Sequence, residues 1–148
     1  MPHLVILYTP ILDAAHSADG LDMTALCRAL ADTLLAARDE AGAAVFPPGG
    51  VRVLAYPAAH AAIGDGGAAG LAAGGSGEYG FMYLRLRMAR GRSAAVHQAV
   101  GQALQACLAR YAAPLLARRH LGITLQIDEG AEVFDAKLSS LHPLFKQV

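Results

Sequence analysis

Three residues carry groups in settings that suit acid–base and anion chemistry: Pro2, Arg52 and Arg92. Pro2 follows the initiator Met1, and aminopeptidases remove Met before a small residue. Removal leaves a secondary amine at the chain end. A free α-amino group titrates near 8, so only about a tenth of it is neutral at pH 7. Burial beside an apolar strand and nearby arginine charges both disfavour the ammonium form. A penalty of about 1.4 kcal/mol on that form makes roughly half of the amine neutral, the poise a general base needs. Without such surroundings the proline merely begins a strand.

Arg92 lies in ARGRS, between a strand end and a helix start. Taken alone it is a solvated loop arginine. With the amides of the following helix it can form a carboxylate site, since a guanidinium and a helix N-terminus both favour anions. Ser93 is placed to cap that helix. Arg52 sits in VRVLAY, opposite in phase to Val51 and Val53. An arginine in a short strand belongs either to a solvated face or to an interface or site, and the pattern leaves both open. Arg85 and Arg87 alternate with Phe81 and Tyr83 on one face of YGFMYLRLRM, and read as a polar outer or subunit-facing surface.

Other chemistries lack their residues. His3, His16, His60, His97, His120 and His142 form no i, i+3 or i, i+4 pair, and there is no HExxH, so a metal site is not expected. The glycines at 64–77 do not form a phosphate loop, and GGSGE at 74–78 is not a nucleophile elbow. Cys27 and Cys107 sit in helical segments without metal spacing and read as buried, reduced thiols of a cytoplasmic protein.

The elements that must position these residues follow from apolar patterning. His3–Thr9 is a short apolar run ended by Pro10, the mark of a strand buried on both faces. Leu21–Arg38 sets Leu26, Leu30 and Leu34 at helical spacing, with Asp22 as N-cap and Gly42 beyond the end. Val51–Tyr56 is a second strand, closed by Pro57. Residues 58–77 are almost entirely Ala and Gly and read as a surface loop without a packed helix. Tyr79–Met88 is a third strand. A helix from Ser93 to Arg119 lines up Val96, Val100, Leu104 and Leu108, and Pro114 should kink it or end a first segment. Leu121–Asp128 is a fourth strand, and the tail 129–148 carries scattered apolar residues that should dock on its own core or a neighbouring subunit.

Composition fits one domain in an assembly. The chain has 148 residues, 55% of them apolar, and its 16% of charged residues falls below the usual quarter. A small domain this poor in charge hides surface in an oligomer. Twelve basic residues balance twelve acidic ones, which argues against nucleic-acid binding. No uncharged apolar run is long enough to span a membrane, and the start lacks the basic flank of a signal peptide. The element order gives two βαβ units, each pairing its strands in parallel through a right-handed crossover. Two architectures fit. One interleaves the strands of the units, as in ferredoxin-like folds. The other sets the units antiparallel about a pseudo-two-fold axis.

The start MPHLVILY, the segment GGVRV, the block EYGFMYLRLRMARGRS and the ending LSSLHPLFK, in this order, resemble the 5-carboxymethyl-2-hydroxymuconate isomerases of the tautomerase superfamily. The likeness covers nearly the whole chain apart from the Ala/Gly loop, which looks like an insertion, and Leu7 stands where the family has an acidic residue. The resemblance implies an α+β tautomerase fold, with a four-stranded mixed sheet and two helices on one face. It also implies a homotrimer without metal or organic cofactor. The implied reaction is ketonisation of a dienol carboxylate in aromatic catabolism. Pro2 matches the family's amino-terminal base, and Arg52 and Arg92 match its two carboxylate-binding arginines. The alternatives are another proline-dependent tautomerase acting on a different unsaturated carboxylate and a non-catalytic trimeric binding protein of the same fold, since the fold alone does not fix the reaction.

Overall fold

The computed structural model describes residues 2–145. Removal of Met1 and the Lys146 of the terminal motif therefore lie outside the described residues. Four strands form one mixed sheet: β1 (His3–Tyr8), β2 (Arg52–Pro57), β3 (Tyr79–Ala89) and β4 (His120–Gly130). Their order is β2-β1-β3-β4. β1 pairs with β2 in parallel, β3 with β4 in parallel, and the two units meet through an antiparallel β1–β3 pair. Each βαβ unit keeps its own strands adjacent, which excludes interleaving and selects the pseudo-two-fold arrangement.

The main helices, α1 (Met23–Ala36) and α3 (Ala94–Leu116), pack on one face of this sheet. Both begin where a cap residue satisfies an orphan amide. The Asp22 carboxylate accepts from the Ala25 N–H at 2.9 Å, and Ser93 Oγ accepts from Val96 at 3.2 Å. α3 runs through Pro114 for only two more residues, so the missing N–H falls in its last turn, where the loss is smallest. The core lies between layers: Leu4 and Ile6 from β1, Leu84 and Leu86 from β3, Leu26 and Leu30 from α1, and Leu104 from α3 are all inaccessible.

β1 departs from its expected double burial. Leu4, Ile6 and Tyr8 are buried under the helices, but the alternate side chains face outward and Leu7 is 48% exposed. Only one face of the sheet is covered by its own chain. The half-buried Cys27 also differs from expectation, whereas Cys107 is buried; both are free thiols.

The Ala/Gly segment holds a short helix, α2 (Ala68–Ala72), where a structureless loop was expected. Asp65 accepts from the amides of Gly67 and Ala69, and the Tyr79 hydroxyl of β3 accepts from Gly70 N–H at 2.9 Å. Gly67 is required at the turn into α2: its φ is +99°, and a Cβ there would sit 1.9 Å from the Gly77 carbonyl oxygen. Polar anchors rather than an apolar stripe hold this element, so periodicity could not reveal it. The described part of the tail closes with a 3-10 turn, His142–Phe145, whose Phe145 ring lies over Gly49 in the Pro48–Gly50 turn. Val133 and Leu138, between β4 and that turn, remain fully exposed. No helix among the described residues is long and apolar enough to cross a membrane.

Candidate active site

Pro2 is buried and immediately precedes β1, an inner strand of the sheet. The first residue of that strand, His3, has Arg52 of β2 as its partner on one side and Arg87 of β3 on the other. Strand pairing therefore sets two arginines within one residue of Pro2. The proline nitrogen is a backbone atom, so it lies in line with the strand rather than on either face of the sheet. Groups from both faces can converge on a molecule bound across the strand end.

Arg52 and Arg92 share a scaffold. Arg52 Nη1 donates to the carbonyls of Gly49 and Gly50 at 3.2 and 3.0 Å. Arg92 Nη2 donates to the Val45 carbonyl at 3.0 Å, its Nη1 to Ala89 at 3.1 Å, and its guanidinium lies 5.2 Å from the centre of the Phe46 ring. Both arginines thus brace the segment 45–50 from opposite ends. Phe46 is almost wholly buried, so the stacking surface beneath Arg92 is rigid. Arg92 is aimed by two of its five N–H donors, and the others remain for a ligand.

Arg92 borders a hollow of about 380 Å3 with Arg90, Ser93, Val45, Asp39 and Glu40. The Ser93 hydroxyl donates to Glu40, and this bond holds the Glu40 carboxyl below its usual pKa. A second hollow, about 530 Å3, lies beside His3 and Arg87 under the first residues of the tail. Burial, Arg52 and Arg87 together lower the His3 pKa, which favours a neutral imidazole there. A larger hollow, about 750 Å3, lies elsewhere, between α3 and β4, on a floor of Ile123, Leu125 and Ile127. Size is a poor guide here, because neither Pro2 nor the two predicted arginines border it.

The protomer therefore brings Arg52 to the strand end that Pro2 begins and sets Arg92 in a separate hollow behind the 45–50 segment. Three further residues belong to the same end of the sheet: His3, Phe46 and Arg87. Only Arg87 had a visible signal, its alternation along β3, and that pattern reads equally as outer surface. Among the described residues no group of three or more His, Cys, Asp or Glu could hold a metal ion.

The paired βαβ units, with a four-stranded mixed sheet and two main helices on one face, define the class: this is a tautomerase fold. The chain is matched over residues 2–145 by the family model for 5-carboxymethyl-2-hydroxymuconate isomerase, and it belongs to that family. Two solved structures support the assignment. A 5-carboxymethyl-2-hydroxymuconate delta-isomerase is 56% identical, with a TM-score of 0.91 over 98% of this chain and 93% of that one. A 5-carboxymethyl-2-hydroxymuconate isomerase from Deinococcus radiodurans R1 is 29% identical, with a TM-score of 0.75 over 97% and 93%. No curated protein matches.

Proposed function

We propose that the mature protein, freed of Met1, ketonises the dienol of 5-carboxymethyl-2-hydroxymuconate with Pro2 as its base. The observation that carries this reading is the position of Pro2, buried at the head of β1 with Arg52 in the adjoining register. The neutral secondary amine takes the enol hydroxyl proton and returns a proton to a carbon of the conjugated chain. Negative charge moves through the dienolate between these steps. Arg52 and Arg92, held by backbone carbonyls of the 45–50 region and Ala89, bind substrate carboxylates and stabilise that charge without reorganising. Their fixed orientation turns part of the binding energy into alignment of the reacting atoms.

The division of Pro2 and Arg92 between separate parts of one protomer supports an assembled site. So does the uncovered face of the sheet, where Leu7, Leu54, Tyr56 and Phe81 form an apolar patch, each 38–49% exposed. Packing of that face against two further copies makes a homotrimer and closes the site. The test is an ultraviolet assay of dienol ketonisation with Met-free protein. Pro2→Ala is expected to lose about 10²–10⁴ in kcat. Full activity in that variant would exclude the proline base.

A further inference from the structure

We propose that Arg87 is a substrate-binding residue, and that it takes the carboxylate of the carboxymethyl arm. This rests on the reading of Pro2, Arg52 and Arg92 above and extends it. A carboxymethyl-substituted muconate carries three carboxylates, whereas only two arginines have been assigned. A third anion entering a site with partly dehydrated surroundings needs a third cation, or its desolvation is uncompensated.

Arg87 is available where its neighbours are not. Arg85, two residues earlier on the same face, is paired with Asp128. Asp128 is the register partner of Arg87, so the acid directly opposite Arg87 is already engaged diagonally by Arg85. Arg119 is bound to Asp19, and Arg28 to Asp32. Arg87 makes no hydrogen bond or ion pair among the described residues. It borders the 530 Å3 hollow with His3, and the side walls come from the tail, Ala131–Asp135. Two acids line that wall. Asp135 is neutralised by Lys137, which leaves Glu132 at the rim. His3 stands between Arg87 and Arg52 in the register and lies in the field of both. The open edge of this end of the sheet is thus cationic, one residue from the proposed base. Arg90 is the alternative cation, but it lies beyond the end of β3, outside the register that sets Arg87 beside His3.

The polar-outer-surface reading of Arg87 from sequence is thereby replaced for this one residue, while Arg85 keeps it. The distinguishing experiment measures kcat and KM of Met-free protein on two dienols, 5-carboxymethyl-2-hydroxymuconate and 2-hydroxymuconate, which lacks the arm. Arg87→Gln is expected to lower the ratio of kcat/KM between the tricarboxylate and the dicarboxylate by about tenfold or more, mainly through KM. Arg87→Lys should restore part of that ratio, since the charge returns without the bidentate fork. An unchanged ratio in Arg87→Gln overturns the proposal, as does a selective loss that appears in Arg90→Gln instead. Pro2→Ala is assayed alongside: full activity in that variant refutes the base while the Arg87 ratio still reads the arm.

Discussion

The two faces of the sheet are built from the same strands and have opposite characters. The helix-covered face is filled by aliphatic side chains such as Leu4, Ile6, Leu84 and Leu86, none of which reaches solvent. The other face is graded. Leu7, Leu54, Tyr56 and Phe81 gather at one end, and Arg52, His3 and Arg87 at the other. A face that is apolar at one end and cationic at the other suits the two partners proposed above, further copies of the chain and an anionic ligand.

This contrast is broken most strongly from the covered side. Leu84→Ala removes an inaccessible side chain from the centre of β3 and is expected to destabilise the fold by about 2–5 kcal/mol. Leu54→Ala, on the open face, should change protomer stability by only about 0.5 kcal/mol. Denaturant midpoints with unchanged slopes would check both. The open face is sharpened next. If the open face forms the proposed trimer, Leu7→Asp should dissociate it without unfolding the protomer, read as a threefold drop in mass by light scattering with unchanged far-ultraviolet dichroism. A trimer that survives this change would move the interface elsewhere.

Phe46→Leu keeps the buried volume nearly filled but removes the ring beneath Arg92, where a cation–π contact contributes about 0.5–2 kcal/mol. The expected result is a KM raised several-fold with a smaller change in kcat. A further effect concerns Tyr8, whose hydroxyl donates to Asp13 at 2.7 Å. Burial and that bond push the Tyr8 pKa up to about 12. Because the folded value lies above the unfolded value near 10, this stabilisation is complete below about pH 10 and is lost as pH rises toward 12. Tyr8→Phe should cost about 1 kcal/mol at neutral pH and flatten the alkaline decline in melting temperature.

Much of the fold was legible because its signals are local. Asp22 and Ser93 announced both main helices, and the apolar runs located all four strands. The double burial expected of β1 was wrong for the protomer because Val5 and Leu7 face the side of the sheet that this chain leaves uncovered, and an all-apolar run cannot show that. The α2 helix was hidden because Asp65 and Tyr79 hold it through hydrogen bonds, with no apolar period to read. The candidates Pro2, Arg52 and Arg92 came from motifs, and the protomer sets Arg52 next to Pro2 but Arg92 in a separate hollow. The shared dependence of the two arginines on segment 45–50 was not legible, because Val45, Phe46, Gly49 and Gly50 meet the arginines through backbone carbonyls and ring stacking, which leave no sequence pattern. Arg87 needed the cross-strand register, which shows that Arg85 has already taken Asp128.

The central claim is that a free proline nitrogen at the head of β1 is the base. It is tested most directly by preparing the protein with and without co-expressed methionine aminopeptidase, measuring the Met-free fraction by intact mass, and assaying dienol ketonisation on each preparation. The account predicts that kcat per protomer rises in proportion to the Met-free fraction and falls toward zero when Met1 is retained, since an acylated proline nitrogen has no basicity. Equal activity in Met-retaining protein would contradict it.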